Sequence, residues 1–195
     1  TMEGFIDTAV EKISKIEGYV LCGVSGGIDS TVVALLIDKA IGNRLKCVFV
    51  DNGLLRLNEE KEVEEMFKEN FKINFTVINA GQQFLEKLKG IEDPEAKRKI
   101  VGEEFIHVFT NFAEKEGPFK WLAQGTLYPD VIESGVSKGP AAVIKSHHNV
   151  GGLPDWLNLG ILEPLRELYK DEVREIAKIL GVPEKLFMRH PFPGP

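Results

Sequence analysis

The stretch VLCGVSGGIDSTVVALLI, residues 20–37, decides the fold. An apolar run comes first, then a short segment with glycines, serines and one aspartate, and a second apolar run follows at once. The first run has the length of a buried strand, and the second, apolar almost all round, has the character of a buried helix. In an open parallel sheet, ligands bind at the carboxyl ends of the strands, where such a turn lies.

The turn has the features of an anion site. Gly26 and Gly27 can take positive φ and let a ligand approach the backbone. Their amides and those of residues 28–30 would point into one concavity at a helix N-terminus, and Ser25 and Ser30 add hydroxyls. A carboxylate at Asp29 repels phosphate unless a divalent cation lies between them, so we predict a phosphate cradle with Mg²⁺ on Asp29. The alternative is a plain turn in which Asp29 or Ser30 caps the helix.

Predicted strands and helices alternate along the chain. The strands are expected at 18–24, 45–51, 73–79, 120–125, 141–147 and 159–164. The helices are expected at 3–16, at 30–41, after a cap at Asn58, from Asp93-Pro94 to Glu116, and before Gly181. This order predicts an α/β protein with a doubly wound, mainly parallel, Rossmann-like sheet and helices on both faces.

Composition excludes several classes of protein. The 195 residues carry a net charge of −6, which argues against a general nucleic-acid binder. The N-terminal segment is amphipathic and charged, unlike a signal peptide, and no apolar stretch reaches the roughly 20 residues that span a bilayer. Cys22 and Cys47 lie inside apolar runs and are expected to be small core residues. We therefore expect a cytoplasmic protein that binds neither nucleic acid nor membrane.

The turn lacks the spacing of a Walker A loop and of GxGxxG. Its sequence SGGIDS, residues 25–30, resembles the SGGxDS signature of the PP-loop ATP pyrophosphatases. That superfamily splits ATP between its α- and β-phosphates, and the loop holds the departing pyrophosphate. The resemblance implies that Asp29 and Ser30 are catalytic and that Asp29 holds Mg²⁺. It also implies a set of residues that bind ATP and pyrophosphate: Val24, Ser25, Gly26, Gly27, Ile28, Asp29 and Ser30.

Further stretches resemble the ATP-pyrophosphatase domain of the GMP synthetase family. They are VDNGLLRLNE (50–59), DPEAKRKIVGEEF (93–105), QGTLYPDVIES (124–134), IKSHHNVGGLP (144–154), EPLRELYKDEVR (163–174) and RHPFPGP (189–195). The resemblance implies an adenine nucleotide alpha-hydrolase-like domain over residues 1–188. Residues 189–195 would begin the connection to a C-terminal dimerisation domain, so the family implies a homodimer.

The resemblance implies an activity. The family aminates XMP to GMP with ATP and ammonia through an adenylyl-XMP intermediate, and releases AMP and pyrophosphate. No Cys-His-Glu glutaminase constellation can be assembled here, which resembles the split form whose ammonia comes from a separate glutamine amidotransferase subunit. Three alternatives stay open: another PP-loop amidating ligase such as NAD synthetase, a tRNA-modifying sulfur transferase, and a nucleotide-binding module without chemistry.

Other residues are assigned to the nucleotides with this resemblance in mind. Lys145 is a candidate cation on the phosphates; its alternative is a solvated lysine. Val50, Asp51 and Leu54 are expected around the adenine, although Asp51 could simply cap a turn. Gly125, after a strand, would allow close approach of the nucleotide.

A basic cluster and two histidines complete the predicted site. Lys97, Arg98 and Lys99 fall in the first turns of a helix, where the macrodipole disfavours cations by roughly 0.3–1 kcal/mol each. An anion docked there would explain them, so Arg98 is assigned to the XMP phosphate; the alternative is solvated bases paired with nearby glutamates. Asp130, His147 and His148 are also assigned to XMP. Adjacent histidines on an extended segment point to opposite faces, so they are not expected to chelate one metal ion.

Overall fold

The computed structural model describes residues 1–53, 57–127, 144–145 and 153–187. Predicted site residues Leu54, Asp130, His147 and His148 lie outside these ranges. The described strands are β1 (Val20–Gly23), β2 (Leu45–Asp51), β3 (Phe75–Asn79), β4 (Trp121–Ala123), β5 (Ile144–Lys145) and β6 (Gly160–Leu162). The described α-helices are α1 (Met2–Ser14), α2 (Ile28–Ile41), α3 (Leu57–Glu65), α4 (Gly81–Leu88), α5 (Pro94–Glu116), α6 (Lys170–Ile179) and α7 (Glu184–Phe187).

The strands form one sheet of six in the order β3-β2-β1-β4-β6-β5. All neighbours pair in parallel except β5, which runs antiparallel to β6 at the edge. The predicted mainly parallel sheet is therefore confirmed. Because β1 lies between β2 and β4, the turn after β1 stands at the middle of the carboxyl edge, where strand order reverses.

Helices cover both faces of the sheet, as predicted. Side chains of a strand alternate between faces: Val20 and Cys22 join the core cluster that contains residues of α1, α2 and α6, whereas Leu21 joins the cluster that contains residues of α4 and α5. Both cysteines are buried and free, which confirms the prediction for them. Cys22 and Cys47 also lie side by side, in register across β1 and β2.

Helix α2 is buried almost all round, because nine of its fourteen residues are buried. Its start differs from the prediction of residue 30, since the helix begins at Ile28 and Gly27 is its N-cap. Asp29 and Ser30 therefore lie in the first turn, and neither caps the helix.

Helix α5 has the predicted bounds. The side chain of Asp93 accepts a hydrogen bond from the Ala96 amide (3.3 Å), and Pro94 takes the first helical position. The predicted apolar stripe packs on the core: Val101, Phe105, Val108, Phe109 and Phe112. Its last turn stops at Gly117-Pro118.

Two predictions about the helices were wrong or incomplete. Helix α3 begins at Leu57, so Asn58 lies in its first turn and is not its cap. Helix α4 was not predicted; it has eight residues, its N-cap Ala80 offers no side-chain hydrogen bond, and only Phe84 is buried. Within the described residues, no helix combines the length and the apolar character needed to cross a membrane.

Candidate functional site: a phosphate cradle beside an apolar cavity

The turn between β1 and α2 is built around one left-handed glycine. Gly26 has φ +85° and is buried, so a side chain there would be strained. Gly27 has φ −82° and extended ψ, which any residue can adopt. Of the two glycines that can take positive φ, only Gly26 does so here.

The two serine hydroxyls hold the turn in shape. The Ser25 amide donates to Ser30 Oγ (3.1 Å), the two hydroxyl oxygens lie 3.2 Å apart, and the Gly27 amide donates to Ser25 Oγ (3.2 Å). On the helix side, Thr31 Oγ1 donates to the Gly27 carbonyl (2.8 Å). The turn is thus preorganised by its own polar groups before any ligand binds.

The first turn of α2 supplies the anion-binding groups. Thr31 is the first residue whose amide closes a helical hydrogen bond, to the Gly27 carbonyl (3.3 Å). Helix geometry leaves the amides of residues 28–30 without intrahelical acceptors and places the positive end of the macrodipole there. The Val24 amide, by contrast, donates to the Val48 carbonyl (2.8 Å) and belongs to the sheet. Val24 and Ile28 are buried and pack beneath the turn.

Asp29 forms an ion pair that sequence reasoning missed. Lys170 Nζ, at the start of α6, lies 2.8 Å from Asp29 Oδ1. The Asp29 side chain is 30% exposed and that of Lys170 43% exposed, so both reach the surface of the site. The two residues are 141 positions apart in sequence, and no local pattern connects them.

A cavity of about 560 Å³ opens beside the turn. Its polar side includes Ser25, Asp29 and Ser30, together with Gln124 and Thr126 after β4. Its apolar side comprises Phe105, Ile106, Phe109, Leu122 and Leu153. Phosphate-binding amides and an apolar wall in one cavity suit a nucleotide. The sequence assigned the α5 phenylalanines to the core alone, because their helical spacing is also that of a packed face.

Gly125 brings β4 against the start of α2. A Cβ built on Gly125 would lie 3.3 Å from Asp29 Cβ and 3.6 Å from the Ser30 amide nitrogen. Gly125 also lines the cavity. The lack of a side chain at Gly125 therefore lets the backbone after β4 pack closely against the first turn of α2, and it leaves room for a ligand in the cavity.

Asp51 lies at the carboxyl end of β2 and caps a turn. Its Oδ1 accepts from the Gly53 amide (2.9 Å), the alternative that the sequence left open. A hydrogen bond with Asp51, burial and the neighbouring negative charges raise the pKa of Glu60 to about 7. The neighbouring Val50 is buried in the core cluster of α4 and α5. The assignment of Val50 and Asp51 to adenine stays a prediction.

The basic cluster is not among the described residues that line the cavity. Lys97, Arg98 and Lys99 are exposed on the first turns of α5. Arg98 precedes the cavity residue Phe105 by seven positions, about 10 Å along the helix axis. Arg98 thus faces solvent in the described structure, and its assignment to XMP stays a prediction. Lys145 lies in β5, opposite Ile161 of β6, and its role also stays a prediction.

The residues around Asp29 fit a magnesium ion carried by a nucleotide. Among the described residues, no group of three or more His, Cys, Asp or Glu side chains could hold a metal ion. Mg²⁺ commonly uses one or two carboxylates together with substrate phosphates and water, so one exposed carboxylate beside a phosphate cradle is a suitable donor set.

Comparisons with known proteins show which sequences this chain resembles. The sequence profile of the family described as NAD synthase matches residues 1–104. All of this chain aligns with "GMP synthase [glutamine-hydrolyzing]" from Haemophilus ducreyi at 60% identity and from Nitratidesulfovibrio vulgaris (Miyazaki F) at 58% identity. The chain spans 38% of the length of each of these relatives.

Solved structures share the fold. An NMN synthetase from Francisella tularensis matches with a TM-score of 0.71 and 18% identity, over 98% of this chain and 75% of that one. An NH3-dependent NAD synthetase from Campylobacter jejuni, in complex with the nitrate ion, matches with a TM-score of 0.67 and 15% identity, over 95% of this chain and 74% of that one. These structures confirm the α/β fold that the order of strands and helices predicts.

Proposed function

This chain belongs to the family described as NAD synthase, and we propose that it is the ATP-pyrophosphatase part of a GMP-forming ligase. The observation that carries the proposal is the preorganised turn at the N-terminus of α2, which shares a cavity with Asp29 and an apolar wall. The 58–60% identity to GMP synthases over the whole chain supports XMP as the acceptor.

The proposed reaction solves a leaving-group problem. The oxygen on C2 of XMP does not depart as oxide. It attacks the α-phosphorus of ATP, the bond between the α-phosphorus and the bridging oxygen breaks, and pyrophosphate leaves. Ammonia then adds at C2, and the C2–oxygen bond breaks to release AMP and, after loss of a proton, GMP.

The protein's part is to stabilise negative charge on the departing pyrophosphate. The first-turn amides of α2 bind phosphate oxygens, and the dipole of that helix favours the anion. Lys170 supplies a positive charge at the same place, since its ammonium already lies at Asp29. Asp29 would hold Mg²⁺, which would neutralise phosphate charge when bound. Groups fixed in advance at the position where charge develops usually give the largest catalytic effect.

The apolar wall suits a purine base. Phe105 and Phe109 are half-buried residues of α5 that line the cavity next to the turn. A base packed on these rings leaves its phosphates facing the amides of α2. We assign the ammonia supply to a separate glutamine amidotransferase subunit, dimer formation to a C-terminal domain, and the site of action to the cytoplasm.

Product analysis tests the proposal. The chain is incubated with ATP, Mg²⁺ and ammonium, with and without XMP, and AMP, ADP, pyrophosphate and GMP are quantified. We expect AMP, pyrophosphate and GMP in equal amounts, and only with XMP. Formation of ADP would contradict the proposal. AMP formation at the same rate with and without XMP would also contradict it, and would favour a PP-loop ligase with another acceptor. Binding of ATP without any turnover favours the module without chemistry.

A matched pair of variants tests the site. Asp29→Asn should lower the rate of AMP formation by roughly a hundredfold or more, the scale of losing an aligned electrostatic group. Asp171→Asn is the control, because the Asp171 side chain is 93% exposed and forms its ion pair with Arg174 on the surface of the same helix. Equal activity of the two variants would remove Asp29 from the mechanism, provided that their unfolding temperatures match that of the native chain.

A further inference from the structure

We propose that Lys170 makes the site selective for a metal–polyphosphate complex over the free metal ion, because it acts as the internal counter-ion of Asp29. The inference rests on the proposed function, which places polyphosphate and Mg²⁺ at the turn. It adds an order of loading: the cation and the polyphosphate enter together.

The ion pair places the ammonium where a cation would otherwise bind. Lys170 Nζ lies 2.8 Å from Asp29 Oδ1, and both side chains are partly exposed, so the pair faces incoming ions. Lys170 is the first residue of α6, and the Glu172 side chain stabilises this helix start, because the Tyr169 amide donates to Glu172 Oε1 (3.0 Å). The backbone from which Lys170 reaches Asp29 therefore has a defined position, and the ion pair holds the ammonium there.

The position of Lys170 is unfavourable for the helix that carries it. A cation in the first turn of α6 faces the positive end of the macrodipole, at a cost in helix stability. Asp29 offsets part of this cost. Helix stability alone therefore does not explain a lysine here, whereas an anion arriving at the site does.

The donor set is poor for a free divalent cation. Among the described residues, Asp29 belongs to no group of three or more His, Cys, Asp or Glu side chains that could hold a metal ion by themselves. A dication would have to displace the ammonium or lie within a few ångströms of it, and like charges at that distance repel. Polyphosphate removes both obstacles, because its oxygens supply further metal ligands and an alternative partner for Lys170.

Metal titrations separate these states. Mn²⁺ replaces Mg²⁺ as the probe. Binding of Mn²⁺ alone is measured by electron paramagnetic resonance of the free ion, and binding of preformed Mn²⁺–pyrophosphate is measured by isothermal titration calorimetry. The variants are Lys170→Gln, Lys170→Met, Lys170→Arg and the control Lys178→Gln, which removes an exposed charge from the last turn of the same helix. Unfolding temperatures verify that each variant is folded.

We expect the neutral variants to show opposite changes in the two titrations. Lys170→Gln and Lys170→Met should bind Mn²⁺ alone roughly tenfold more tightly than the native chain, the scale of removing one charge a few ångströms from a dication. The same variants should bind Mn²⁺–pyrophosphate more weakly. Lys170→Arg and Lys178→Gln should behave as the native chain in Mn²⁺ alone, and adding Asp29→Asn to Lys170→Gln should abolish the gain.

The outcomes distinguish this inference from the proposed function. A native chain that binds no Mn²⁺–pyrophosphate overturns the proposed function and the inference with it. Native binding of Mn²⁺–pyrophosphate, combined with unchanged Mn²⁺ affinity in both neutral variants, overturns only the inference. A gain in Mn²⁺ affinity that persists with Asp29→Asn overturns it as well.

Discussion

Gly23, the last residue of β1, sets the position of the aromatic wall. A Cβ built on Gly23 would lie 2.8 Å from Phe109 Cζ, closer than real Cβ contacts allow. Both residues line the cavity, so the ring of Phe109 rests directly on the backbone of the strand that leads into the turn. A side chain at position 23 must displace this ring.

Gly23→Ala is predicted to weaken ATP binding. The methyl group displaces the ring of Phe109, which lines the cavity, so we expect roughly a tenfold loss of ATP affinity by calorimetry with Mg²⁺ present. Phe109→Leu in the same chain should recover part of the affinity. Gly102→Ala is the control on α5, since a Cβ there meets no atom within 4 Å. Native affinity in Gly23→Ala would show that Phe109 does not border the nucleotide.

At the scale of elements, β2 and α3 are joined by a pair of carboxyl groups. The hydrogen bond with Asp51 is the largest cause that raises the Glu60 pKa from 4.5 to about 7. Glu60 is more readily protonated in the folded chain than in the unfolded one. Its contribution to stability is therefore fully present below pH 4.5, and it is lost as the pH rises through about 7.

Glu60→Gln should remove this pH dependence. Relative to the native chain, the variant should gain in free energy of unfolding as the pH rises from 5 to 8, because Glu60 of the native chain becomes ionised in that window. Urea denaturation at pH 5, 6, 7 and 8 measures the difference. Glu65→Gln alters an exposed carboxylate of the same helix and serves as the control. A native-to-variant difference that stays constant with pH would contradict the Asp51–Glu60 pair.

The sequence predicts the bounds of a helix well where capping residues or prolines mark its ends. Helix α5 has a capping aspartate followed by proline, and its bounds agree with the prediction. Helix α4 was missed because it is short, has no side-chain cap and buries only Phe84. The start of α2 was placed two residues late because a backbone-only cap at Gly27 leaves no polar signal.

In the candidate site, too, the sequence predicts only the residues whose type has a local structural meaning. The turn at residues 25–30 could be located because its residue types have a local meaning: glycine for φ, hydroxyls for hydrogen bonds and a carboxylate beside an anion site. The pair of Asp29 with Lys170 could not, because the fold alone brings these residues together. The apolar wall was also hidden, since phenylalanines at helical spacing look the same whether they cover a core or a ligand.

At the scale of the whole molecule, the proposed amination requires a source of ammonia. Glutamine hydrolysis by a cysteine enzyme requires an accessible thiolate. The sequence has two cysteines, and both are buried in the sheet; burial raises the pKa of the Cys47 thiol well above its usual range. We therefore predict GMP formation with ammonium and none with glutamine. Glutamine-dependent formation of GMP by the pure chain would contradict the separate subunit, and added ammonium is the positive control.

The two buried cysteines of β1 and β2 can serve as a probe of how often these strands separate. Cys22 and Cys47 face each other across the two central strands, with 1% and 0% of their surface exposed. An alkylating reagent such as iodoacetamide reaches them only when these strands separate, so the labelling rate reports how often the sheet opens. A ligand bound at the adjoining turn slows this labelling in proportion to its occupancy, which makes affinity measurable without any turnover.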